Sequence, residues 1–132
     1  MSDELTSEDK ALIEAADEVL RRCYREVRHT VGAAVRCPSG RVYAGVNVEA
    51  CGYGPCAEAV ALGMAFSNAE TDIEAIVAVH KGGVISPCGN CRQMILDYAP
   101  DAIVIYNDNG QVRKATARNL LPGAYFCDFN DG

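Results

Sequence analysis

The sequence lacks any hydrophobic run that approaches the roughly 20 residues of a membrane span. Its first ten residues, MSDELTSEDK, are acidic and contain neither the basic nor the apolar segment of a signal peptide. No internal repeat, low-complexity tract or linker interrupts the chain. These absences predict a cytoplasmic protein with no membrane partner.

Basic residues are scarce and scattered. The 132 residues include 12 Lys and Arg against 18 Asp and Glu, a formal net charge of −6. A protein that follows a nucleic-acid backbone needs clustered cations. The one dense basic group, RRCYREVRH at residues 21–29, is typical of a solvated helix end. We therefore expect no nucleic-acid partner and a small neutral ligand instead.

The remaining pattern predicts a single α/β domain over residues 1–132. An amphipathic helix over residues 6–25 precedes two apolar runs, VGAAVRC and RVYAGVNV, which are joined by a turn. Three more strands are predicted at AIVAVH, AIVIYN and QVRKA, with helices after residues 56 and 88 and a short one at 118–121. This order predicts a five-stranded mixed sheet with helices on both faces.

Seven cysteines are present, an odd number that argues against a disulfide scaffold outside a secretory context. Cys23 and Cys37 stand in apolar patterns and are expected to be small core residues. Metal binding is the natural interpretation of all or part of the rest. Cys88 and Cys91 form a Cys-x-x-Cys motif, which alone is only half of a zinc site.

Cys56 and Cys88 each follow a proline where a helix is predicted to begin. A helix N-terminus carries roughly half a positive charge, and it lowers the pKa of a thiol placed there. Together with Cys91 they would give a zinc ion three protein ligands and an open fourth position, which is the pattern of catalytic sites.

Glu58 lies two residues after Cys56, on the first turn of the same predicted helix. Water in the open position of a zinc ion has its pKa lowered towards ~7. A carboxylate beside it could take a proton from that water and pass it on. Glu58 is therefore predicted to be a general acid and base.

Two alternatives stay open at this point. Cys51 could be the fourth ligand of a closed structural site, with Glu58 at the surface. His29 and His80 could also compete as ligands, although His80 ends a strand before a glycine turn and is expected not to bind.

The motifs taken together resemble a known family. CAE at residues 56–58, followed by SPCGNCRQ at 86–93, is similar to the zinc deaminase signature. VGAAV, GVNVE and LLPGAY stand in the order typical of the small cytidine deaminases. The resemblance covers nearly the whole chain. It implies the three-layer α/β/α cytidine deaminase sandwich, a Zn²⁺ cofactor and a homotetramer.

The resemblance also implies roles residue by residue. The family's zinc ligands match three cysteines: Cys56, Cys88 and Cys91. Its proton shuttle matches Glu58. The pair that holds ribose hydroxyls matches Asn47 and Glu49, and we expect Glu49 to be a buried carboxylate that accepts bonds from those hydroxyls.

The sequence departs from the family pattern in several places. Ala59 stands where members have an arginine that offsets thiolate charge; Arg92 could serve instead, or could tie down a helix end. His29 and Thr30 replace the usual Phe-Pro that walls the base pocket. The loop between residues 47 and 56 is short and ends in Gly-Pro, as in blasticidin S deaminase, whereas Glu49 agrees with the nucleoside branch.

The predicted function is hydrolysis of the exocyclic amine of cytidine or 2′-deoxycytidine, giving the uracil nucleoside and ammonia in pyrimidine salvage. Zinc-bound hydroxide would attack C4 while Glu58 protonates N3 and then the leaving amine. Blasticidin S or another modified cytosine nucleoside is the alternative substrate. A nucleic-acid editing deaminase and a non-catalytic zinc module are the rival classes.

Overall fold

A computed structural model describes residues 2–129 and begins with helix α1, Ser7–Cys23. Thr6 caps the helix and forms a capping box with Asp9, which satisfies two backbone N–H groups at its start. The helix ends two residues before the predicted position, because residues 25–29 turn back through a bridge between Arg25 and His29. The expectation of a buried Cys23 is wrong, since that side chain is exposed at the last helical position, whereas Cys37 is buried.

The other elements follow the predicted order. They are β1 (Gly32–Arg36), β2 (Val42–Val46), α2 (Ala57–Ser67), β3 (Ala75–His80), β4 (Gly83–Ile85), α3 (Gly89–Tyr98), β5 (Ile103–Asp108), β6 (Gln111–Thr116) and a short 3₁₀ helix (Arg118–Leu120). None of the helices within residues 2–129 is both long enough and apolar enough to cross a membrane.

The strands form one mixed sheet in the order β2-β1-β3-β5-β6, with β4 paired to β3. The β3–β5 pair is parallel, and the other pairs are antiparallel. The sheet has one strand more than predicted. β4 has only three residues and begins at Gly83, directly after Gly82. The two glycines therefore predict a turn, and the three-residue strand is too short to show a periodic pattern.

Alternate residues of the central strands face opposite layers of helix, as the two-residue period of a strand requires. On one face Ala34, Val77 and Ile105 pack with Leu12 and Ala16 of α1. On the other face the buried cluster joins strand residues to α2 and α3: Ala33, Val35, Ile76, Val104, Ala61, Leu62 and Ile95. The predicted three-layer α/β/α arrangement is confirmed.

Helix α2 packs very close to β2, and this approach positions the functional site. A Cβ atom on Gly45 would lie 2.6 Å from Cγ1 of Val60, so only glycine fits there without displacing the helix. The start of α2 is thereby held beside Asn47, the first residue after β2.

Candidate active site

Three cysteines from two helix starts converge in the structure. Cys56 is the N-cap residue of α2, Cys88 is the N-cap residue of α3, and Cys91 lies in the first turn of α3. Their Sγ atoms lie within 4.8 Å of one another. Among residues 2–129 they form the one group of three potential ligands that could hold a metal ion.

Burial and helix termini act on the three thiols in opposite directions. Burial tends to raise the pKa of Cys88, but hydrogen bonds from the Cys91 and Asn90 backbone and the neighbouring thiols outweigh it and lower this pKa. Burial dominates at the other two thiols and raises the pKa of Cys56 and of Cys91. Closely packed, partly buried thiolates need a cation, and thiolate donors suit Zn²⁺.

Cys51 and His80 lie outside this group. Cys51 is exposed in the loop before α2 and is not among the clustered ligands of the described chain. The Nδ1 atom of His80 accepts a hydrogen bond from the Gly82 N–H at 2.7 Å, as part of the turn into β4. The arrangement therefore matches three protein ligands rather than a closed set of four.

Glu58 is buried on the first turn of α2, with 5% of its surface exposed. Burial raises the pKa of this carboxyl group, against weaker lowering by hydrogen bonds with its own backbone and with Cys91. A carboxyl group whose pKa is raised in this way, and which lies beside the thiols, is suited to take up and release a proton.

Asn47 and Glu49 follow β2 and reach the same place. Asn47 is buried, and its Oδ1 accepts hydrogen bonds from the backbone N–H groups of Thr30 and Val31 at 2.9 and 3.0 Å. Its Nδ2 lies 3.4 Å from Oε1 of Glu49. The expected burial of Glu49 is wrong in this chain, because its side chain stands at the exposed rim. The short loop leaves this rim open.

One cavity of about 220 Å³ brings most of these side chains together. It is lined by five of the six predicted site residues: Asn47, Glu49, Cys56, Glu58 and Cys88. Cys91 is not among the lining residues and is buried. Gly54 also lines the cavity, and glycine is required there because a Cβ atom would lie 2.1 Å from the Val48 carbonyl oxygen.

Three residues of the cavity wall were not predicted, Val31, Ile85 and Ser86, whereas Thr30 stands where the family resemblance places the wall of the base pocket. Ser86 donates from Oγ to the Asn107 carbonyl at 2.5 Å and so ties the cysteine loop to β5. Its position directly before Pro87-Cys88 was the available signal. Ile85 belongs to the strand that was not predicted.

Arg92 does not approach the cavity; it ties down a helix end. Its Nε donates to the Pro87 carbonyl at 2.9 Å, and its Nη1 donates to the Leu120 carbonyl at 3.0 Å. Of the two roles considered for Arg92, the structural one therefore applies.

Comparisons with known proteins agree with this arrangement. Residues 6–107 match the model of the cytidine and deoxycytidylate deaminase zinc-binding region. A blasticidin-S deaminase of Bacillus cereus is 39% identical, with 92% of this chain and 94% of the relative aligned. A cytidine deaminase of Halalkalibacterium halodurans is 38% identical over 79% of this chain and 83% of its own.

A solved structure shows the same fold. The cytidine deaminase of Burkholderia pseudomallei superposes with a TM-score of 0.75 and 37% identity, covering 88% of this chain and 98% of its own. Fold, cysteine group and sequence therefore agree, and the chain belongs to the cytidine and deoxycytidylate deaminase family of zinc-binding proteins.

Proposed function

We propose that the protein hydrolyses the exocyclic amine of a cytosine nucleoside, converting cytidine or 2′-deoxycytidine to the uracil nucleoside and ammonia. The observation that carries this proposal is that one cavity combines clustered thiols, a buried carboxyl group and a polar pair at the rim. A non-catalytic zinc module would need neither the buried carboxyl group nor the polar pair.

Cys56, Cys88 and Cys91 would hold the zinc ion. When bound, zinc supplies Lewis acidity, which lowers the pKa of a bound water to about 7. The three thiolates carry the negative charge that the cation balances, and the backbone N–H groups at the starts of α2 and α3 offset part of it. The helix termini are the source of this positive charge, because Ala59 is uncharged and Arg92 is bound to the carbonyl groups of Pro87 and Leu120.

Glu58 moves the protons. Its carboxylate accepts a proton from the attacking water and donates it to N3 of the cytosine ring. It then carries the second water proton to the exocyclic nitrogen. A C4–O bond forms, the C4–N bond breaks, and the nitrogen leaves as ammonia. Burial raises the pKa of Glu58, so the protonated and the ionised forms of this carboxyl group are closer in free energy than they would be in water.

Asn47 and Glu49 would hold the sugar. Nδ2 of Asn47 can donate a hydrogen bond and the carboxylate of Glu49 can accept one, which together suit vicinal hydroxyls. No lysine or arginine is among the described residues that line the cavity, so a phosphate group has no partner there. A nucleoside is favoured over a nucleotide and over nucleic acid.

Blasticidin S, or another cytosine nucleoside with a modified sugar, is the second candidate substrate. The Bacillus cereus relative is named for that activity, and the exposed rim at Glu49 leaves room for a larger sugar substituent. The chemistry at C4 would be the same for both substrates.

We also propose a cytoplasmic homotetramer, formed from one domain over residues 1–132, that acts in pyrimidine salvage. All seven cysteines are free, which suits a reducing compartment. Large apolar side chains stand exposed beside the cavity loop and in the C-terminal segment: Val48, Tyr53, Tyr125, Phe126 and Phe129. Such side chains mark association surfaces.

The test is ammonia release by the native protein from cytidine, deoxycytidine, cytosine, CMP and blasticidin S. We expect the two nucleosides to be the best substrates, with cytosine and CMP far slower. Preference for blasticidin S would select the second candidate. Absence of turnover on all five by zinc-loaded protein would overturn the proposed reaction.

A further inference from the structure

The segment between α1 and β1 forms hydrogen bonds with the residues that directly follow β2. Residues 25–29 form a turn closed by the bridge between Arg25 and His29. At its corner Val27 has φ of 71° and an exposed side chain. A β-branched residue is unfavourable in this left-handed region, so contacts elsewhere in the segment must hold the turn in shape.

Two side chains of this turn bind the backbone of the sugar-binding pair. Arg28 donates from Nη1 to the Glu49 carbonyl oxygen at 2.7 Å. Nδ1 of His29 lies 2.7 Å from the Asn47 carbonyl oxygen. Because a carbonyl can only accept, Nδ1 carries the proton in this contact. The backbone on both sides of Val48, at Asn47 and at Glu49, is therefore hydrogen-bonded to the turn at residues 25–29.

The same segment also sets the side chain of Asn47. The N–H groups of Thr30 and Val31 occupy its Oδ1, so Nδ2 is the group left to meet a ligand. That atom already lies near Oε1 of Glu49. The segment between α1 and β1 thus presents the Nδ2 donor of Asn47 and the Glu49 carboxylate acceptor side by side at the cavity rim.

This support matters because the rim is open. Residues 48–53 are exposed and lie outside helices and strands. A carboxylate on such a loop loses freedom when it binds a sugar, and holding it beforehand reduces that entropic cost.

We propose that Arg28 and His29 are positioning residues that set the preference for the sugar by acting through Glu49 and Asn47. This inference rests on the proposed function, in which that pair binds the sugar hydroxyls. Arg28 and His29 do not touch the reacting atoms and therefore affect KM rather than kcat.

The experiment compares cytidine with 2′,3′-dideoxycytidine, which lacks both ring hydroxyls. Arg28→Ala and His29→Ala should each raise KM for cytidine about three- to tenfold, the worth of one hydrogen bond, with kcat little changed. KM for the dideoxy substrate should barely move. Arg28→Lys and His29→Asn keep a donor and should restore most of the native KM.

Arg22→Ala is the matched control, because Arg22 is an exposed arginine of α1 whose partner is Glu18. It should leave both substrates unaffected. A double-mutant cycle adds a second readout. In a Glu49→Ala background, Arg28→Ala should raise KM for cytidine less than about twofold, since it acts through the residue already removed.

Equal KM increases on both substrates, a fall in kcat, or full additivity in the cycle would overturn the inference and assign the turn a structural role only. If an alanine variant does not fold, Arg28→Met or His29→Leu replaces it, since these keep side-chain bulk without a donor. Failure of the proposed function is distinct, because then the native protein would not turn over either nucleoside.

Discussion

At the scale of single residues, the proposed reaction depends most on Glu58. Only 5% of its surface is exposed, and it lines the cavity. Glutamate is rarely buried to this extent, which is consistent with a functional role. Its position on the first turn of α2 places it beside Cys56, the N-cap residue of that helix.

Glu58→Gln is expected to fold and bind zinc normally while kcat falls by at least 10²–10⁴-fold, the worth of a general acid–base step. The amide keeps the shape but cannot carry a proton. Turnover and zinc content are measured on the same sample. Glu18→Gln, on the exposed face of α1, is the control and should be unchanged. Near-native activity of Glu58→Gln would mean that another group moves the proton.

Glu49 is expected to govern the choice between nucleoside and free base. Glu49→Ala should lower kcat/KM for cytidine about tenfold, the worth of a hydrogen bond to a charged acceptor, and leave free cytosine unaffected. The ratio of kcat/KM for cytidine to kcat/KM for cytosine should therefore fall. The measurement is kcat/KM for both. Equal losses on both would show that Glu49 supports the metal site instead of the sugar.

At the scale of elements, α1 is joined to the sheet through a buried carboxylate. Asp9 accepts a hydrogen bond from Nζ of Lys114 on β6 at 2.9 Å and lies 3.5 Å from Arg36 of β1. Arg36 also pairs with Glu74 at 2.8 Å. Burial tends to raise the pKa of Asp9, but the bonds from Lys114 and Thr6 outweigh it and lower this pKa.

Since folding lowers the pKa of Asp9, its contribution to stability is present above the unfolded value of about 3.9 and is lost as pH falls through the folded value. Asp9→Asn should reduce the free energy of unfolding by about 3 kcal/mol at pH 7, because it removes the acidic partner of the largely buried Lys114 and one of the two acidic partners of Arg36. It should also flatten the pH dependence below pH 4. Urea unfolding at several pH values measures both effects.

The matched control is Glu14→Gln, which removes an exposed pair with Arg21. Exposed pairs are worth about 0–1 kcal/mol. If both variants lost the same small amount of stability, the network at Asp9 would have no special role in holding α1.

The helices could be predicted from the sequence, whereas one strand and part of the cavity wall could not. α1, α2 and α3 were predictable because Thr6 and two Pro-Cys pairs mark their starts. β4 was not, since three residues show no periodicity. The three clustered cysteines could be grouped by motif. The N–H groups of Thr30 and Val31 donate hydrogen bonds to the side-chain Oδ1 of Asn47, more than 15 residues away in the chain, and no local pattern shows that contact.

At the scale of the whole molecule, the exposed aromatic side chains of the C-terminal segment support the proposed homotetramer. Tyr125 and Phe126 are both largely exposed, and neighbouring exposed aromatic side chains are suited to an association surface. Light scattering should give a mass about four times the 14.1 kDa of the chain. Replacing both residues with serine should lower that mass while zinc stays bound. A native mass of one chain would contradict the homotetramer.

The proposed reaction depends on an open three-thiolate zinc site, and zinc content tests that site most directly. Native protein should hold about one equivalent per chain. Cys88→Ala should lose it, whereas Cys51→Ala, which changes an exposed thiol outside the group, should keep it. Zinc retained in full by Cys88→Ala, or lost from Cys51→Ala, would contradict the account.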